Sequence, residues 1–383
     1  MKFLKFRKLG ILSIICLFSA ALFLNGLISA NASISQSVLG IVKGGTNANT
    51  VEEAQTNLGK INDIVENNSD TKFPSSKAVY DFVDFALNEK FIALGGTGAS
   101  SYLAYSKDGI VWSQIANQND FICANVSDTC GLEFGDNKYV IIGPSGTKIS
   151  KAGMFWSGLF PMEDSLNFAT MKYGENKFVA ITTAGIPYIS SDGQTWSQGN
   201  TTGVGAAQGL VFGDGKFVVV GSNSRINWSN DGYNWQTPIT IGSGSTWREI
   251  AYANGKFVVV GLNSYISTST DCITWTQPIQ PADFTQGNLI SITYGNGKFV
   301  AVGGGGPSTS GLLYYSEDGE IWNPSPNNKN YVQTNWNEVV YDGEKYVVVG
   351  YYGKTSYSYD GITWAAPQQI TANNNNFRKI IFN

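Results

Sequence analysis

Three stretches of the chain begin with an aromatic residue that charged residues follow within two positions. They are WREIAYA from Trp247, WNEVVYD from Trp336 and FRKIIFN from Phe377. Aromatic rings stack on sugars and grip cationic groups, and acids and bases beside them orient polar ligands. The charged residues that follow these aromatics are Arg248, Glu249, Glu338, Arg378 and Lys379. Further aromatic residues in neighbouring loops would extend such a site, namely Phe284, Tyr331, Tyr351 and Tyr352.

The same residues also fit a purely structural role. Most large aromatic side chains of an all-β protein belong to its core, and charges beside them are often solvated. Two interpretations of this set therefore stay open. The rings either surround the mouth of a binding site, or they pack between neighbouring elements.

Catalysis has few candidates in this chain. The sequence contains no histidine, which excludes the Ser-His-Asp and Cys-His arrangements of nucleophilic catalysis. Glu249 and Glu338 could form the acid pair of a glycoside hydrolase, which needs only two carboxylates, so this enzyme is an alternative. The glycines from Gly303 to Gly306 lack the following helix of a phosphate-binding loop. We predict no cofactor and no metal.

The elements that would position these residues are set by a box, Ser-x-Asp-Gly-x-x-Trp, that recurs seven times. The box tryptophans are 39 to 47 residues apart, the blade length of a β-propeller. An Asp-Gly pair suits a tight turn, so the box acids are predicted turn formers. The second box has Ala152 in place of the acid, and the fifth has Cys272 in place of the glycine. The six box acids are Asp108, Asp192, Asp231, Asp271, Asp318 and Asp360.

Each repeat predicts a four-stranded blade. In one repeat, Trp247 to Tyr252 forms a first strand, an Asn-Gly turn follows, and Phe257 to Val260 forms a second strand. The third strand enters the box and the fourth is expected to carry the box Trp. Phe377 to Asn383 is a first strand with no second strand after it, so it should close the ring beside Lys90 to Leu94. The fold class is an all-β, seven-bladed propeller over residues 88–383, preceded by a short helical stalk.

This strand order separates two faces of the ring. The turn face carries the Asn-Gly turns and the boxes. The loop face carries the loops from second to third strand and those between blades, which vary most in sequence. Variable loops on a rigid scaffold are common binding sites.

The boxes resemble the Asp-box repeats of bacterial sialidase-like propellers, over a region from about Asn88 to the end of the chain. This resemblance implies the propeller fold. A sialidase also needs three arginines that clamp the substrate carboxylate. Outside the N-terminal leader the chain has only Arg225, Arg248 and Arg378, and no clamp is recognisable. Propellers of photosystem assembly factors are similar too, so an assembly scaffold is a further alternative.

The first 87 residues differ from the repeats. A basic start and an apolar run from Leu9 to Ala30, ending at Ala30-Asn31-Ala32, predict a signal peptide over residues 1–32, with an uncleaved membrane anchor as the alternative. Residues 33–87 contain GGTNANTVEEAQTNLG and TKFPSSKAVYDFV. These phrases resemble phage tail-fibre motifs, which implies a helical and trimeric stalk. The helix of Ser76 to Leu87 could equally pack on its own chain.

Charge and cysteine content agree with export. Without residues 1–32 the chain has 21 basic and 29 acidic residues, a net charge of −8, which argues against nucleic-acid binding. Cys123 and Cys130 are close enough in sequence to form a disulfide in an oxidising compartment. The sequence thus predicts a secreted or surface-displayed recognition protein that binds a glycan or a protein, with periplasmic location as the alternative.

Overall fold

Each repeat folds into an antiparallel sheet of the predicted four strands, except that blade five has three among the described residues. The structure is a computed structural model that describes residues 91–383, except for 98–99, 116–129, 152, 154–155, 163–165, 243, 282, 285, 306–310, 327–333 and 371–375. The predicted signal peptide (1–32), the stalk (33–87), Cys123 and Tyr331 lie outside the described residues. The chain divides at Asn88 and Glu89 into two units, and every described residue lies in the second.

Seven antiparallel sheets form the seven predicted blades. The strands of blade one are β1 (Phe91–Thr97), β2 (Ser100–Ser106), β3 (Ser113–Gln114) and the last strand of the chain. Blade two has β4 (Gly131–Gly135), β5 (Lys138–Gly143), β6 (Gly146–Ser150) and β7 (Phe160–Pro161). Blade three has β8 (Phe168–Gly174), β9 (Lys177–Thr182), β10 (Pro187–Ser190) and β11 (Ser197–Gln198). Blade four has β12 (Ala207–Gly213), β13 (Lys216–Gly221), β14 (Arg225–Ser229) and β15 (Ile239–Thr240).

The remaining blades follow the same order. Blade five has β16 (Trp247–Ala253), β17 (Lys256–Gly261) and β18 (Ile266–Ser269). Blade six has β19 (Asn288–Gly295), β20 (Lys298–Gly304), β21 (Gly311–Ser316) and β22 (Asn323–Pro324). Blade seven has β23 (Trp336–Tyr341), β24 (Tyr346–Gly350), β25 (Lys354–Ser358) and β26 (Gln368–Gln369), and the last strand is β27 (Asn376–Phe382). Two 3-10 turns, Leu262–Ser264 and Tyr351–Gly353, complete the described elements.

The last strand closes the ring. β27 pairs antiparallel with β1, with Phe91 opposite Phe382 and Ile92 opposite Ile381. The first strands of successive blades contact one another in one cycle, from β4 through β8, β12, β16, β19 and β23 to β27 and back to β4. The predicted closure is therefore confirmed. It gives β1 an inner partner strand, so blade one has the same four-strand order as most other blades.

The box acids form turns, as their sequence predicts. In the third box, Asp192 Oδ1 accepts hydrogen bonds from Gln194 N at 2.7 Å and Thr195 N at 2.8 Å. Ser190 Oγ donates to the same oxygen at 2.9 Å and accepts from Gly193 N at 2.8 Å. One carboxylate thus satisfies several backbone groups of an exposed turn, which explains why the box recurs.

The box Trp departs from the prediction in one respect. Each fourth strand is only two residues long and begins after the Trp, as in Ser113–Gln114 after Trp112. In five boxes the indole Nε1 donates to the carbonyl of the residue at the box Gly position, as Trp235 does to Gly232 O at 2.9 Å. The Trp therefore belongs to the box turn and not to the fourth strand.

The cysteines differ in state. Cys130 is disulfide-bonded, while Cys272 is a buried free thiol with a φ of 59° at the box Gly position. Because Cys123 lies outside the described residues, its pairing with Cys130 stays a prediction. In the described part of the chain, no helix is long and apolar enough to span a bilayer.

Candidate functional site: the central channel

The closed cycle of first strands surrounds a cavity of about 210 Å³. Six of the seven first strands line it, namely β4, β8, β16, β19, β23 and β27. Residues two apart on a strand point to the same side, so each first strand can place two side chains toward the cavity. The propeller thereby brings residues together that are up to about 250 positions apart in sequence, such as Glu133 and Lys379.

These side chains form two layers. The layer nearer the loop face consists of Thr170, Glu249, Ser291, Glu338 and Lys379. The layer nearer the turn face consists of Glu133, Lys172, Thr293, Val340 and Ile381. Unlike the boxes, the layers do not repeat one residue from blade to blade. They mix acids, bases, hydroxyls and apolar groups.

Four of the five charged side chains form two ion pairs. Lys172 Nζ lies 3.1 Å from Glu133 Oε2, and Lys379 Nζ lies 3.3 Å from Glu338 Oε2. The attraction of Glu133 raises the pKa of Lys172 against the effect of burial. For Lys379, burial lowers the pKa, but Glu338 and Glu249 outweigh it and the net pKa is raised. Burial raises the pKa of Glu338, while Lys379 opposes this change. Each ammonium group therefore has one carboxylate within 3.3 Å.

Glu249 is the fifth charge, and no other described residue forms an ion pair with it. Among the described residues, no basic nitrogen lies within 4.0 Å of its carboxylate. Its Oε1 accepts a hydrogen bond from the Ile250 N–H at 3.0 Å. Burial and the charge of Glu338 raise the pKa of Glu249 to about 7, and Lys379 and Lys172 only partly offset them. This carboxyl group is therefore near half protonation at neutral pH.

The three aromatic residues that open the first strands do not line the channel. Trp247, Trp336 and Phe377 are each 0% exposed. Trp247 packs in a core cluster with Val218 and Val220 of the preceding blade. Trp336 and Phe377 occupy equivalent clusters against blades six and seven. The predicted accessible ring of these aromatics is wrong, because the start of each first strand turns its ring between two blades.

Some of the predicted ligand-binding residues do lie at the mouth of the channel on the loop face. Arg248 is half-buried, and its guanidinium donates to Gln208 Oε1 at 2.8 Å, while its Nε has no hydrogen-bond partner among the described residues. Burial lowers the pKa of Arg248, and the phenol of Tyr351 acts in the opposite direction. Tyr352 is 37% exposed beside Tyr351, with ring centroids 6.4 Å apart, and Arg378 is exposed. Arg248 and the two tyrosines thus belong to one neighbourhood at this mouth.

A second aromatic ring was missed by the sequence analysis. Every first strand carries a half-buried aromatic residue near its end on the turn face, and each packs on an aromatic residue of the second strand with centroids 4.5–4.9 Å apart. These residues are Phe134, Tyr173, Phe212, Tyr252, Tyr294, Tyr341 and Phe382. The signal in the sequence was the aromatic residue before each Gly-x-x-Lys turn. A Cβ at the following Gly135 would lie 2.2 Å from Tyr173, which explains the glycine.

Comparisons with known proteins agree with the fold and go no further. No family model matches the sequence, and no curated protein does. A solved structure of YCF48 bound to D1 peptide matches with a TM-score of 0.51 and 16% identity, over 66% of this chain and 84% of that one. Virginiamycin B lyase from Staphylococcus aureus matches with a TM-score of 0.53 and 13% identity, over 65% and 86%. The computationally designed Ika8 protein matches with a TM-score of 0.51 and 10% identity, over 77% and 96%.

These neighbours include a peptide-bound protein, a lyase and a designed protein. Their identities are 10–16%, so the likeness shows the propeller architecture alone. The function must be argued from the site.

Proposed function

We propose that this protein is a non-enzymatic recognition module that binds a segment of a protein partner at the channel and its mouth on the loop face. The observation that carries the proposal is the lining of the channel. Charged and hydroxyl side chains at equivalent positions differ from blade to blade, whereas the boxes and hairpins around them repeat. The propeller fold itself does not require these positions to differ between blades. A binding site for an asymmetric ligand does require such differences.

A protein ligand suits the site better than a glycan. Sugar recognition commonly uses exposed aromatic faces, and Trp247 and Trp336 are buried. The channel and its mouth instead offer a carboxylate and a half-buried guanidinium, which suit the charged groups of a peptide. A propeller of similar fold, YCF48, has been solved with a D1 peptide. An assembly scaffold would be one form of such a protein-binding role, and a glycan ligand is the other outcome to test.

The sequence of the first 87 residues supports a proposal of display outside the cytoplasm. We propose export by the predicted signal peptide, and a stalk over 33–87 that carries the propeller as a trimer, which would suit adhesion. N-terminal sequencing of the protein recovered from its natural compartment tests the cleavage. Light scattering tests the mass, and a monomer would remove the trimer from the proposal.

A glycoside hydrolase is the second candidate, because Glu249 and Glu338 line one cavity. Their environments differ, since Glu338 is paired with Lys379 and Glu249 is not. Such a difference could separate an acid from a base. A panel of nitrophenyl glycosides tests this candidate with Glu338→Gln as the control. Turnover that the variant abolishes would replace the binding proposal with this activity.

The binding proposal is tested with two arrays on one protein sample, one of random peptides and one of glycans. We expect saturable binding on the peptide array. Arg248→Ala should weaken it at least tenfold, because this change removes the guanidinium, whose Nε has no hydrogen-bond partner among the described residues, from the mouth. Tyr359→Ser alters a side chain on the turn face that is 54% exposed, and it should leave binding unchanged. Binding on the glycan array alone, or equal binding by both variants, would contradict the proposal.

A further inference from the structure

The charges of the channel are unbalanced. Three carboxylates, Glu133, Glu249 and Glu338, share the cavity with two ammonium groups, Lys172 and Lys379. Each ammonium lies within 3.3 Å of one carboxylate, and Glu249 is left over. A carboxylate in a confined space needs a counter-charge or a proton, since unpaired charge is costly there.

The surroundings of Glu249 leave room for a cation from outside the chain to act as its counter-ion. The residue at the equivalent position of the preceding blade is Gly209, and a Cβ there would lie 2.5 Å from Glu249 Oε1. No side chain therefore separates the carboxylate from β12. Hydroxyl groups of Thr170, Ser291 and Thr293 line the same cavity. Ser291 Oγ already accepts a hydrogen bond from Val339 N at 3.2 Å, which holds this side chain in position.

A primary ammonium group fits this cavity better than other cations. It is compact and has three donors, which one carboxylate and nearby hydroxyls can accept. The channel already pairs ammonium with carboxylate twice, at Glu133 and at Glu338. A metal ion is disfavoured, because the described residues contain no group of three or more acidic, cysteine or histidine side chains suited to hold one. Lys379 repels any cation in this cavity, but it repels a divalent ion about twice as strongly as a monovalent ammonium group.

We propose that the channel binds a primary ammonium group of the partner, a lysine side chain, with the Glu249 carboxylate as its counter-ion. This inference rests on the proposed function and names the chemistry of its ligand. The lysine enters from the loop face, where the layer of Glu249 lies. It completes a third ion pair beside the two that the chain itself provides.

Isothermal titration with Nα-acetyl-lysine amide tests the proposal, and its Nε-acetylated form is the uncharged control. We expect binding of the first probe alone, at least tenfold weaker for Glu249→Gln. Glu320→Gln changes an acid on the turn face whose side chain is 56% exposed, and it should bind as the wild type does. Because Glu249 must be ionised, affinity should rise between pH 6 and pH 8. Equal affinity for both probes, or for wild type and Glu249→Gln, would overturn the proposal.

A second measurement keeps the test valid if Glu249→Gln does not fold. Carbon NMR of the wild-type protein with labelled glutamate should show one carboxyl signal that titrates near pH 7 and shifts on addition of the lysine probe. No shift would overturn the inference. If lysine binding fails but the peptide array still shows binding that Arg248→Ala weakens, the proposed function stands without the lysine site. If the array shows no peptide binding, the proposed function and the lysine site both fail.

Discussion

The boxes on the turn face and the lining of the channel are both built from seven equivalent positions, yet they differ in how residues are used. Six of seven boxes keep the acid, and each described box acid bonds to its own turn. The seven equivalent positions of the channel layer nearer the loop face hold glycine, hydroxyls, acids and a lysine. Residues that repeat in every box are those that each blade needs to fold. Residues that differ between blades in the channel can form a site to which the whole ring contributes.

The second box sharpens the comparison. It lacks the acid at Ala152, but Gly153 N still donates to Ser150 Oγ at 2.8 Å and Trp156 Nε1 to Gly153 O at 3.1 Å. The other box contacts persist without the carboxylate. A change in one box is therefore a local loss, whereas a change in the channel affects a site that several blades share.

The largest effect is expected from deletion of residues 376–383. This removes β27, which supplies the inner strand of blade one and packs against β4 and β23. All of blade one would lose its inner neighbour, so we expect no cooperative unfolding transition and little soluble protein. Circular dichroism and solubility measure this. Arg378→Ala in the same strand changes an exposed residue and should fold normally, and a stable truncated protein would contradict the closure.

A smaller effect, of opposite sign, is expected from Glu249→Gln. The pKa of Glu249 is about 7 in the folded chain, above its value of 4.5 when unfolded. Between these values the folded chain binds more protons, so stability should fall as pH rises from 4.5 to about 7. Removal of the charge should stabilise the protein by about 3 kcal/mol at pH 8 and by little at pH 4. Urea unfolding at both pH values measures this, and equal effects would contradict the assignment.

The box acids should behave in the reverse way with pH. Their hydrogen bonds lower the pKa of Asp231 to about 2 against the effect of burial, with Asn234 the largest contributor. A lowered pKa means stability that is present above the unfolded pKa of 3.8 and lost as pH falls toward 2. Asp192→Ala should cost about 1–2 kcal/mol at pH 7. Ala152→Asp should stabilise the protein. Urea unfolding of both variants measures the free energy of unfolding. An unchanged value in both variants would contradict the turn-forming role of the box acids.

The smallest effect is expected at Cys272, the one position where a box has cysteine for glycine. Its φ of 59° strains a side chain, but the thiol is fully buried against blade four. Cys272→Gly relieves strain and loses packing, so we expect a net change within about 1 kcal/mol. Burial raises the pKa of Cys272 to about 11. The native thiol should therefore resist a maleimide reagent until the chain unfolds, and rapid labelling would contradict its burial.

The sequence predicted the fold well because each element has a local signal. The box spacing indicated seven blades, the Asn-Gly pairs indicated hairpins, and FRKIIFN indicated the closing strand, as the pairing of Phe91 with Phe382 confirms. The residues that line the channel were harder to predict from the sequence. Successive side chains of a strand point to opposite sides, and the bulge after Trp247 changes which of them face the channel. The sequence therefore left Trp247 open between the mouth and the core, and the structure buries it. Glu133 and Lys172 were missed, because their strands do not begin with an aromatic residue that a charged residue follows within two positions.

The central claim is that the channel is functional while the boxes are structural. The most direct test is one titration of Nα-acetyl-lysine amide into wild type, Glu249→Gln and Asp192→Ala at pH 8 and a temperature where all three are folded. We predict that Asp192→Ala binds as the wild type does and that Glu249→Gln binds at least tenfold more weakly. Equal loss in both variants, or no loss in Glu249→Gln, would contradict the claim.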